Sequence, residues 1–108
     1  MTPWIKQRWL EELRSGTYVQ AFGALRLNTT EFCANGLLCE LHSRSQAQPW
    51  NHNLRAFFPY DYLGHASSLP PAVEEWAGLT PEEWQATQDL NDDGKDFDWL
   101  ADYIEKNL

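Results

Sequence analysis

Cys33 stands where a helix is expected to begin, and a thiol at a helix N-terminus can be lowered in pKa and become a nucleophile. His42, His52 and His65 could each supply a base, and Asn91 or Asp92 an orienting group. Together they would make a small Cys- and Asp-dependent hydrolase, or a ligand-sequestering pocket, near Cys33, Asn91 and Asp92. Against this, the apolar neighbours of Cys33 and Cys39 predict buried, inert thiols. Their C-x5-C spacing on one helix would set the two on different faces, so neither a disulfide nor, without paired histidines, a zinc site is expected.

Asp89-x-Asn91-x-Asp93-Gly94 copies the first half of a calcium-binding loop. The position that needs a bidentate Glu is Leu100, however, and Asp96 stands where an apolar residue is usual. The simpler reading is a turn in which Asn91 and Asp92 bond nearby backbone N–H groups. Phosphate loops, dinucleotide fingerprints, serine elbows and zinc-protease motifs do not occur. The expectation is therefore binding rather than catalysis, with no cofactor and no metal.

Charge favours the same reading. The chain has 108 residues and a formal net charge of −8. From Glu74 onward there are 11 acidic residues and only two lysines, Lys95 and Lys106. Such a field repels nucleic acid and attracts basic proteins. Lys6, Arg8, Arg14, Arg26, Arg44 and Arg55 are scattered and suggest no nucleic-acid patch. The candidate partner-binding residues are Glu74, Glu75, Glu82, Glu83, Asp98, Asp102 and Glu105, of which Asp98, Asp102 and Glu105 can form one row on a helix. A solvated face that only keeps the protein soluble is the competing explanation. Of the six tryptophans most are expected in the core, with one or two exposed as binding anchors. No apolar run approaches the ~18–20 residues of a membrane span, and Met1–Lys6 lacks the features of a signal peptide. A cytoplasmic protein with reduced thiols is expected; a homodimer is left open.

The elements that must position these groups follow from spacing and caps. Thr2-Pro3 opens a helix over about 3–15, with Ile5, Trp9, Leu10 and Leu13 as its apolar stripe and Gly16 as its stop. Residues 17–28 read as extended chain, with Ala24–Leu27 alternating as a strand. Thr29 or Thr30 is the expected cap of a second helix, whose buried face is Ala34, Leu37, Leu38 and Leu41. Gly36 within it costs about 1 kcal/mol relative to Ala, which implies close backbone packing or a break. Residues 42–53 read as a loop, and 56–58 and 60–63 as strand-like pieces interrupted by Pro59. Pro70-Pro71 opens a short helix ended by Gly78. Thr80-Pro81-Glu82-Glu83 is a capping box, flanked by Leu79 and Trp84 at staple positions. Asp96 caps a last helix with Phe97, Leu100, Ala101 and Ile104 inward. The expected fold is one α+β domain over residues 1–108, mainly helical: four or five short helices on a small two- or three-stranded antiparallel sheet.

Several segments in order carry a resemblance. They are Trp9–Gln20, Gly23–Arg26, Phe32–Leu41, Leu69–Leu79 and Leu90–Phe97. Their order resembles a family of small uncharacterised proteins of tailed phages and prophages, with a W-x-x-x-L-R-S-G-x-Y start, an F-C-C-L-G-V-L-C centre, an L-P-x-x-V-x-x-W-x-G-L segment and an L-N-D-x-G-x-S-F end. The second Cys of that centre is Ala34 here, and the Ser of the last motif is Asp96. The resemblance implies a phage accessory product, a class often devoted to handling host factors. Taken with the acidic face, the expectation is a protein that engages a host protein with a basic surface, such as a nucleic-acid-binding or defence factor, and inhibits or redirects it.

Overall fold

A computed structural model describes residues 1–108. Five helices, α1 (Pro3–Arg14), α2 (Ala34–Gln46), α3 (Pro71–Ala77), α4 (Pro81–Asp92) and α5 (Phe97–Asn107), are joined by short strands β1 (Val19–Gln20), β2 (Glu31–Phe32), β3 (Asn51–His52) and β4 (Tyr60–Asp61). The class is α+β and mainly helical, as the apolar periodicity predicts. α1 packs on α5 and α2, while α4 packs on α2 and α5, so the expected stripes meet in one core. Ile5, Trp9, Leu10 and Leu13 of α1 face Leu37, Leu38 and Leu41 of α2 and Leu100, Ala101 and Ile104 of α5 across it.

The strands form two separate pairs instead of a single antiparallel sheet. β3 and β4 are antiparallel, but β1 and β2 run parallel, in the register Val19↔Glu31 and Gln20↔Phe32. The alternating piece Ala24–Leu27 gives only an isolated bridge, from Arg26 to Phe32. Phe32 is thereby shared between two segments that are both too short to build a sheet alone.

α2 starts later than expected and ends later too. Its cap is Cys33, not Thr29 or Thr30: the Cys33 Sγ accepts from the Gly36 N–H at 3.3 Å. Thr30 is held in the preceding turn, where its N–H donates to Asn28 Oδ1. Residues 42–46, expected as loop, complete α2 because His42 is buried there and Ala47 supplies a left-handed stop. Residues 56–58 are not strand. Asn53 N–H donates to the Pro59 carbonyl and closes a turn that leaves Leu54 and Phe57 exposed.

The local signals elsewhere hold. Gly78, with φ +69°, ends α3, and the Leu79 N–H returns to the Glu74 carbonyl. Both halves of the Thr80–Glu83 capping box form, at 3.2 and 2.9 Å. Asp96 caps α5 through the Trp99 N–H at 2.8 Å. Only Trp9 among the tryptophans is fully buried; Trp50, Trp76 and Trp84 are half-buried, and Trp4 and Trp99 are exposed.

Candidate functional site

Cys33 is 4% exposed, and burial pushes its thiol up to about 12. The lowering that a helix start can give does not occur, because desolvation outweighs the Gly36 N–H that reaches the sulfur; the thiol is buried, as its apolar neighbours predict. Cys39 is fully buried and is also pushed up by burial. The three histidines are engaged elsewhere. His42 Nδ1 meets the Tyr62 hydroxyl, His52 stacks on Tyr60 at 4.2 Å, and His65 Nδ1 lies 3.3 Å from Ser68 Oγ.

Asn91 and Asp92 converge on the start of α2, but their bonds are those of a clamp. Asn91 is fully buried in the last turn of α4, where a free turn was expected. Its Oδ1 accepts from the Ala34 N–H at 3.1 Å and from Gln20 Nε2 at 2.9 Å. Its Nδ2 donates to the Ala21 carbonyl at 3.0 Å and to Asp92 Oδ1 at 3.1 Å. The amide therefore has all four of its hydrogen-bonding positions filled. Asp92 Oδ1 also accepts from the Gly23 N–H at 3.0 Å. Trp9 completes the junction by donating to the Ala34 carbonyl at 2.8 Å. These residues tie α1, α2, α4 and the strand after Tyr18 together, which is a structural task.

The seven acidic candidates divide. Glu74 accepts the Trp84 indole N–H at 2.8 Å, and Glu83 is spent in the capping box. Asp102 and Glu105 lie exposed on α5 as the spacing predicts, but both pair with Arg14 from the end of α1, at 2.9 and 3.2 Å. By sequence Arg14 is one of several scattered bases, and nothing local links it to α5. Asp98, Glu75 and Glu82 are exposed and make no ion pair or side-chain hydrogen bond. The patch is thus narrower and less negative than the raw charge suggests.

What remains distinctive is the outward side of α5. Trp99 and Tyr103 stack with centroids 5.8 Å apart and planes 9° from parallel. Asp98 and Asp102 stand beside them, and the Lys95 ammonium lies over the Trp99 ring at 4.9 Å. A shallow cleft of about 290 Å³ opens between Trp99, Asp102, Tyr103 and Lys106. A second, of about 310 Å³, lies at the start of the helix between Arg14, Tyr18, Gln20, Asp96 and Asp98. Aromatic faces among carboxylates suit a cation.

On the other side of the molecule's chemistry, burial holds the His42 imidazole below its ordinary pKa of 6.5. The unfolded chain then takes up a proton that the folded one refuses, so this contribution to stability is complete above the unfolded value and is lost as pH falls through the folded one. The melting temperature is expected to fall as pH is lowered from about 7 to about 5, and His42→Gln should flatten that slope. Calorimetry at a series of pH values checks it; an equal slope in both proteins refutes it.

Fold and surface define a small, mainly helical α+β protein, held by a saturated buried amide and presenting an acidic, aromatic helix face. The chain belongs to the DUF8296 family, a domain of unknown function, whose model matches residues 1–108. No curated protein and no solved structure matches it. No helix is long and apolar enough to cross a membrane.

Proposed function

We propose that the protein acts by binding, and that the outward side of α5 receives a basic segment of a partner protein. The supporting observation is the stacked Trp99–Tyr103 pair among Asp98 and Asp102, with an internal cation, Lys95, already seated on the indole. Glu105 extends this row, although it and Asp102 share Arg14, so that Asp98 is the row's unpaired carboxylate; Glu75 and Glu82 add field from α3 and α4. Glu74 and Glu83 contribute charge only, since their oxygens are engaged. In this reading the basic segment belongs to a host factor that is inhibited or redirected in the host cytoplasm; the acidic face supports the sign of its charge, and the resemblance to phage accessory proteins supports its being a host protein. A hydrolase or ligand pocket at Cys33, Asn91 and Asp92 has less support, because the thiol is buried and the amide is saturated.

Calorimetric titration with a short lysine- and arginine-rich peptide tests this. Binding should weaken at least about tenfold between low and high salt. Trp99→Ala should cost roughly a further twofold to fivefold through the lost cation–π contact. Absence of binding at low salt, or binding indifferent to both Trp99→Ala and Asp98→Asn, overturns the proposal.

A further inference from the structure

Aromatic rings in this protein form a continuous file from surface to core. Trp4, on the exposed side of α1, meets Trp76 of α3 edge-to-face at 5.8 Å. Trp76 meets His42 of α2 at 5.0 Å, and His42 meets Tyr62 at 5.6 Å. Tyr62 in turn lies 5.0 Å from Trp50. The outer end is 57% exposed, whereas Tyr62 is fully buried. At that inner end the Tyr62 hydroxyl has one partner, His42 Nδ1, at 2.5 Å.

That bond has a direction. A buried phenol must donate its proton somewhere, and no other acceptor reaches Tyr62 Oη. The phenol therefore donates and Nδ1 accepts, with the imidazole proton on Nε2. Burial keeps the imidazole neutral and the phenol protonated, so the pair is in the state in which a proton can pass from oxygen to nitrogen.

We infer that the protein relays a one-electron oxidation from Trp4 at its surface to the Tyr62–His42 pair in its core. An outer-sphere one-electron oxidant takes an electron from the Trp4 indole. Trp76 refills Trp4, and Tyr62 refills Trp76 across the His42 ring. As Tyr62 loses its electron, its phenolic proton moves to His42 Nδ1. The products are the reduced oxidant, a neutral Tyr62 phenoxyl radical and a His42 imidazolium; one electron leaves the protein and one proton moves within it. The inner site holds the hole because the proton acceptor is already in contact, while the indole of Trp76 has no hydrogen-bonded base among its contacts. Trp50, whose indole N–H donates to Glu40 Oε1 at 3.1 Å, is the one competing sink on the file.

Flash-quench oxidation of the intact protein with photogenerated ruthenium(III) tris-bipyridine, followed by transient absorption and electron paramagnetic resonance, tests the relay. The expected signal is a tryptophan radical that decays into a phenoxyl radical. Trp4→Phe, a surface change that removes the entry point of the relay, should slow phenoxyl formation by about tenfold or more, equivalent to about 1.4 kcal/mol or more on the barrier. Tyr62→Phe should abolish the phenoxyl signal and leave tryptophan radical only. Should Tyr62→Phe fail to fold, fluorotyrosine incorporation keeps the test open, since fluorine at Tyr62 alters the hyperfine pattern of a radical formed there. A final radical on tryptophan in the unmodified protein overturns the inference, as does a phenoxyl signal that survives Tyr62→Phe or forms equally fast without Trp4.

Discussion

Gly36→Ala is expected to destabilise the protein by about 3–5 kcal/mol, against the sign that helix propensity alone predicts. In an ordinary helix interior that change stabilises by about 1 kcal/mol. Here a Cβ on residue 36 would lie 1.8 Å from the Leu25 carbonyl oxygen and 2.7 Å from its carbon. The obstacle is backbone, so no rotamer relieves it. Leu25 cannot retreat freely either. Its carbonyl accepts from the Cys33 N–H at 3.1 Å, and its N–H donates to the Ala66 carbonyl at 2.8 Å. Moving it breaks the start of α2 away from residues 25 and 66 together. For a domain this size the melting temperature should fall by about 15 °C. Urea unfolding of both proteins measures it; a variant as stable as the parent would mean that the two backbones are not in contact.

The contrast between that glycine and other positions shows which features the sequence discloses. Gly36 is odd by itself, a costly residue inside a good helix, so its packing role is legible without knowing the neighbour. The Thr80–Glu83 box, the Asp96 cap and the Gly78 stop are legible for a related reason: each is complete within a few residues. The acidic row on α5 is likewise set by helix geometry, and Asp98, Asp102 and Glu105 do face outward. What opposes them is not local. Arg14 is 88 residues from Asp102 and 91 from Glu105 in sequence, and no periodicity couples them. The same holds for the cap of α2. Thr29 and Thr30 are better caps by residue type, yet the Leu25 carbonyl fixes Cys33 at the helix entrance, and the cap falls to a thiol. Two-residue strands defeat sequence reading for a further reason. β1 and β2 are too short to show alternation, so their parallel pairing is imposed by what surrounds Phe32. One or two exposed tryptophans are expected from their number; that they are Trp4 and Trp99, the latter stacked on Tyr103, depends on the one-turn spacing of α5 and on which sides of α1 and α5 the core leaves free.

Asn91→Ala should be the most damaging polar substitution, at about 3–5 kcal/mol, a large part of the 5–15 kcal/mol that holds a domain folded. The loss is not that of one good hydrogen bond. Truncation strands the Ala34 N–H and the Ala21 carbonyl, and each buried orphan costs roughly 1–3 kcal/mol. Gln20 loses one partner but keeps the Lys95 carbonyl at 2.8 Å. The near-isosteric Asn91→Asp should be no milder. It keeps the acceptor for Ala34 but has no N–H for the Ala21 carbonyl, and it places a carboxylate in a fully buried site against Asp92. Asp92→Asn makes the comparison decisive. Asp92 serves only as an acceptor, for the Gly23 and Asn91 N–H groups, and an amide oxygen can do both, so its cost should stay below about 1 kcal/mol. Were the pair a catalytic or ligand-binding dyad, the exposed carboxylate of Asp92 would be the sensitive member and the effects on stability small. Equilibrium denaturation of the three variants separates these cases: the clamp requires Asn91→Ala and Asn91→Asp to be severe and Asp92→Asn to be mild, and the reverse order would show that the junction is held by something other than the Asn91 amide.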